Sequence, residues 1–157
     1  METQSSSISS PTVLVVDDNE TVLDLLDLLL SNHGSIVLRA QSGSQCLAIV
    51  QSRPVDLVIL DVMMPGMDGI KVTAEIKRTT PSLPIILLTA KDDVATRAAA
   101  MALGVNEFVT KPIHNRELLS RVRTQIATRR WELDMERTTA SVARLSETCT
   151  GKSESKV

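Results

Sequence analysis

Five short apolar runs, TVLVV (12–16), SIVLRA (35–40), DLVILD (56–61), PIILLTA (84–90) and EFVTKP (107–112), alternate with longer amphipathic stretches. A strand that is apolar at consecutive positions has to be covered on both faces, and a parallel sheet flanked by helices does this. The intervening segments supply the helices. Val22, Leu23, Leu26, Leu29 and Leu30 recur at helical spacing after Asp18 or Asn19, either of which can cap, and His33-Gly34 ends that helix. A short helix over Ser42–Gln51 turns Cys46, Leu47 and Val50 inward, and a third follows Asp68-Gly69 with Ile70, Val72, Ala74 and Ile76. Asp92 or Asp93 opens an Ala-rich fourth helix ending at Leu103-Gly104, and a fifth begins near Asn115. The pattern predicts an α/β fold, a doubly wound sheet of five parallel strands with five helices.

Composition narrows the function classes. An apolar fraction of 43% supports one real core, although Phe108 and Trp131 are the only aromatic residues. A net charge of −2 gives no electrostatic basis for direct nucleic-acid binding or for a membrane surface. The segment LDLLDLLL is interrupted by Asp24 and Asp27, so no membrane span is expected. Cys46 and Cys149 fall outside any metal or redox spacing, and the expected location is cytoplasmic.

Ligands of open α/β sheets gather at the carboxyl ends of the strands. Here the first strand ends in Asp17-Asp18, the third in Asp61, the fourth in Thr89 and the fifth in Lys111, whereas the second ends in Ala40. Taken singly, each has an ordinary reading as a cap, a local hydrogen bonder or a solvated cation. Together they place three carboxylates, one hydroxyl and one ammonium on a single rim. Three adjacent carboxylates repel and call for a counter-charge, which a hard divalent cation such as magnesium supplies. Asp61 can bind that metal and also act as a nucleophile, while Thr89 and Lys111 offer contacts to anionic oxygens, so the group suits phosphoryl transfer onto a carboxylate.

Asp17-Asp18, the LDVMMPGMDG segment around Asp61, the LLTA of Thr89 and the FVTKP of Lys111 together resemble the receiver domain of two-component response regulators, of the chemotaxis-regulator type, over residues 11–127. The resemblance implies a flavodoxin-like fold with strand order 2-1-3-4-5 and an Asp61 that accepts phosphate from a histidine kinase or phosphotransfer protein. It implies magnesium bound by Asp18, Asp61 and the backbone carbonyl of Met63, with Asp17 acting through water. Thr89 and Lys111 hold the phosphoryl oxygens, and the Lys111-Pro112 bond is cis. By the same resemblance Thr89 and Phe108 form the switch, Phe108 standing where many relatives have Tyr. Met63 and Lys91 are positions that tune the lifetime of the phosphate. Arg97, Glu107, Glu117 and Arg121 resemble charges that pair across a homodimer formed by the helix 4–strand 5–helix 5 face. His114 stands where relatives often have a capping Asp, so Asn115 is expected to cap the fifth helix.

The expected domain plan is a disordered segment over 1–10, the receiver over 11–127, a helical extension or linker over 128–147 and a disordered tail over 148–157. In the extension, Leu119, Val122, Ile126 and Leu133 fit part of a heptad, but Arg129 and Glu136 occupy its other seam positions, so a partly solvated continuation of the fifth helix is the better reading. Rival functions fare worse. An aspartyl-phosphate phosphohydrolase needs an acid where Met63 stands, a phosphotransfer module needs an exposed mid-helix His, and a flavin site needs stacking aromatics. The chain is therefore read as a phosphoacceptor and not as an enzyme. A phosphate-independent docking module, and the amino-terminal piece of a longer regulator, remain open.

Overall fold

The computed structural model describes residues 9–105 and 107–155, with side chains through 146. Five strands, β1 (Thr12–Val16), β2 (Ile36–Ala40), β3 (Leu57–Asp61), β4 (Ile85–Thr89) and β5 (Glu107–Thr110), alternate with α1 (Glu20–Asn32), α2 (Gly43–Ser52), α3 (Gly69–Thr79), α4 (Val94–Ala102) and α5 (Asn115–Ser155). All strands are parallel in the order β2-β1-β3-β4-β5, the flavodoxin-like arrangement expected from the sequence.

Side chains on a strand alternate between faces, and here both faces are apolar. Leu14, Val16, Val58, Leu60, Ile85 and Leu87 point to one side, where Cys46 of α2, Val72 and Ile76 of α3 and Ala100 of α4 cover them. Val13, Val15, Leu57, Ile59, Ile86 and Leu88 point to the other, against Leu23, Leu26 and Leu30 of α1 and Leu118, Val122 and Ile126 of α5. Full burial of such side chains contributes about 1.5–3 kcal/mol each, so the central strands anchor the edge that carries the polar residues.

Capping settles choices that the sequence leaves open. Asn19, not Asp18, caps α1 by accepting from the N–H groups of Thr21 and Val22, which leaves the Asp18 carboxylate uncommitted to the helix. Asp93 rather than Asp92 caps α4, accepting from the Thr96 N–H at 3.1 Å. Asp68 caps α3. At α5 the Leu118 N–H donates to the His114 carbonyl, so Asn115 is already the first helical residue and does not take the capping place expected for it. Gly69 opens α3 where a Cβ would stand 2.8 Å from Val62 Cγ1 and 3.2 Å from Val62 Cα. No side chain fits there without moving the loop that follows Asp61. Gly66, with φ of +76°, makes the turn in that same loop.

Two further differences concern helices. Thr73 is fully buried and donates to the Gly69 carbonyl at 2.7 Å, whereas Ile70 and Ala74 are only half-buried. The α5 helix continues to Ser155, into the span where an unstructured tail is expected; that stretch contains no Pro to stop it. Of the segment expected to be disordered at the amino terminus, residues 1–8 lie outside the described residues. Among the described residues, no helix is long and apolar enough to cross a membrane.

Candidate functional site

The parallel register levels the strand ends. Val16 lies beside Leu60, Asp61 beside Leu88 and Thr89 beside Thr110, so Asp17, Asp61, Thr89 and Lys111 emerge on one rim. The cis Lys111-Pro112 bond follows β5, and the Lys111 N–H donates to the Thr89 carbonyl at 2.9 Å. From there the Lys111 ammonium reaches Asp61, donating to Oδ2 at 2.8 Å. Asp61 is 3% exposed, and its other oxygen accepts the Met63 N–H at 2.9 Å. Both Asp61 oxygens are thus held in place.

Asp17 is buried, with Oδ1 accepting the Asn19 N–H at 2.9 Å. Its Oδ2 is buried and has no partner among the described residues, and the same is true of the Thr89 hydroxyl. Such groups are expensive to bury unsatisfied. Asp18 is exposed at the mouth, and one carboxylate oxygen from each of Asp17, Asp18 and Asp61 lies within 4.8 Å of the others. Burial, helped by the neighbouring Asp61 and opposed by the Asn19 N–H and the Lys111 charge, pushes the Asp17 carboxyl up to about 6. The single ammonium therefore does not fully compensate the cluster. All-oxygen donors, excess negative charge and an orphaned carboxylate oxygen are what a hard divalent cation fits.

The remaining sequence-derived positions divide. Phe108 is half-buried, packs against the α2–α3 side of the core and pairs in register with Leu87, two residues before Thr89. The Met63 side chain is 51% exposed at the mouth of the site. Lys91 is exposed, and its carbonyl accepts from the Arg97 guanidinium. The charges expected to face a homodimer also find partners within the chain. Arg121 donates to Glu107 at 2.6 Å and to Glu117 at 3.4 Å, and Gln125 donates to the second Glu107 oxygen at 3.0 Å. Two orienting groups, the N–H groups of Asn19 and Met63, are backbone donors whose role no residue identity announces.

The family model for the response regulator receiver domain matches residues 13–123. The chain belongs to the response regulator receiver family. This receiver is 36% identical to a response regulator from Chloroflexus aurantiacus, over 76% of this chain and 99% of that one, with a TM-score of 0.71. It is 34% identical to the signal receiver domain of an HD domain-containing protein from Pseudomonas fluorescens, over 81% and 94% of the two chains, with a TM-score of 0.75. A receiver domain from Clostridium thermocellum matches at 32% identity over 77% and 98%, with a TM-score of 0.73. In this receiver the Asp17, Asp18 and Asp61 cluster forms the acidic pocket at which domains of the family bind magnesium.

Proposed function

We propose that the protein is a phosphorylation-operated switch of a two-component phosphorelay. The observation that carries this reading is a buried Asp61 held by the Lys111 ammonium, on the same rim as a buried Thr89 hydroxyl with no partner among the described residues. The donor is a phosphohistidine of a sensor histidine kinase or phosphotransfer protein. An Asp61 oxygen forms the O–P bond as the N–P bond breaks, and the imidazole leaves. Asp17, Asp18, Asp61 and the Met63 carbonyl would hold magnesium, which supplies positive charge to the incoming phosphoryl oxygens. Lys111 transfers its contact from Asp61 to a phosphoryl oxygen, and Thr89 turns its idle hydroxyl toward another. The chain accepts the group and assists its own phosphorylation and dephosphorylation without turning over an external substrate.

The proposed switch rests on the likeness of Thr89 and Phe108 to the switch positions of the family. Moving the Thr89 side chain toward the phosphate opens space beside β5, and Phe108 rotates into it. Phe carries no hydroxyl, so packing alone transmits the change to the α4–β5–α5 surface and to whatever docks there in the cytoplasm. Incubation of the purified chain with acetyl phosphate and magnesium, followed by intact-mass measurement, should show a gain of about 80 Da, one phosphoryl group. The gain should vanish in Asp61→Ala. No gain, or an equal gain in the variant, overturns the reading.

A further inference from the structure

The heptad legible in the sequence is not the one that matters on the projecting part of α5. Leu118, Val122 and Ile126 are consumed by the receiver core. Trp131 lies nine residues beyond Val122, about two and a half turns, so it points away from the sheet. From Trp131 a second stripe runs along the outer face through Met135, Thr138, Val142 and Leu145, with spacings of four, three, four and three residues. Trp131 is 64%, Met135 46%, Val142 58% and Leu145 66% exposed, and Thr138 is exposed as well. A seam that repeats every 3.5 residues matches another helix, not a flat surface.

We propose that this stripe is a helix–helix interface with a second copy of the same chain. The stripe is close to symmetric about Thr138, with Trp131 opposite Leu145 and Met135 opposite Val142. In the antiparallel arrangement a two-fold axis at Thr138 pairs large side chains with smaller ones, whereas in the parallel one each residue meets its own copy. Flanking charge permits the contact in either orientation. Asp134 would face Thr139 of the second copy if the helices run parallel, and Ser141 if they run antiparallel, so no like charges meet at that position. The same frame continues toward the receiver through Thr128 and Thr124, both exposed. Two copies of the exposed stripe bring together roughly 900 Å² of largely apolar surface, and the hydroxyl residues beside it carry the total to the lower end of specific interfaces. An isolated helix that leaves such a stripe in water has little to hold it.

Sedimentation equilibrium of the full chain tests this. The wild type should associate to a dimer with a dissociation constant in the micromolar range, and helix content should rise with concentration. Val142→Glu with Leu145→Glu should weaken association at least about 100-fold, because each copy then buries charge in the seam. Both positions are exposed, so the receiver's own urea transition should be unchanged. In a Cys46→Ser, Cys149→Ser background, Thr138→Cys lies near the axis in both orientations and should form an intersubunit disulfide on oxidation. A monomer up to about 500 μM, equal association of the double-Glu variant, or a dimer in which Thr138→Cys does not cross-link would each overturn the proposal.

Discussion

Replacing Lys111 by Met removes the ammonium while keeping the length of the side chain, and the structure sets the size of the effect. The Lys111–Asp61 pair is 2.8 Å long, with the Asp61 side chain 4% and the Lys111 side chain 33% exposed. Coulomb attraction at that distance is about 6 kcal/mol at an effective dielectric of 20, before any desolvation is charged against it. Breaking a buried pair costs about 3–5 kcal/mol, and the partial exposure of Lys111 reduces this to about 2 kcal/mol. With a urea m-value of about 2 kcal/mol per molar for a domain of this size, the unfolding midpoint in EDTA should fall by about 1 M. Saturating magnesium should shrink the difference, because Asp61 then has a second source of positive charge. The reasoning fails if Lys111→Met is as stable as the wild type in EDTA, or if magnesium leaves the difference untouched.

The other predictions follow from neighbouring groups. Asp17 has a folded pKa of about 6 against an ordinary 3.8, so the native state binds the extra proton between these values. Stability in EDTA should therefore decline as pH rises from about 4 through 6, and Asp17→Asn should flatten that decline; urea midpoints across the range check it. Met63 is apolar and exposed at the mouth of the site and cannot orient an attacking water. Met63→Asn should therefore shorten the lifetime of the Asp61 phosphate, and equal decay by intact mass would refute this. Phe108→Ala should leave the mass gain intact while uncoupling it from partner binding in a pulldown with and without phosphodonor. Lost phosphorylation would instead assign Phe108 a purely structural role.

Much of the fold was legible because parallel strands buried on both faces leave an unambiguous trace. The TVLVV, LVILD and IILLT runs are strands within one residue of their apolar limits, since solvent-facing residues begin where each strand leaves the core. The candidate site was legible for the same reason: a carboxylate, hydroxyl or ammonium directly after a buried strand has only the sheet rim to occupy. What remained hidden depends on contacts made across space. Nothing local tells Asn19 from Asp18 as the cap of α1, and nothing in Glu107 shows that Arg121, fourteen residues later, neutralises it within the chain. Thr73 reads as a polar helix residue until its hydroxyl is seen bonded to the Gly69 carbonyl. The outer stripe of α5 was masked by the stronger core-facing one, because both lie on a single helix and differ only in which side the sheet covers.

The base of α5 is tied on two sides. Arg129 donates to the carbonyl and hydroxyl of Ser82 at 2.8 and 3.0 Å, and Arg130 donates to the Ser9 carbonyl. These bonds grip the helix where it leaves the receiver and turn that point into a fulcrum. The arm beyond it, from Arg129 to Ser155, is about 40 Å long at 1.5 Å per residue. A tilt of about 5° about that point would sweep the far tip through roughly 3.5 Å, a displacement as large as an atom.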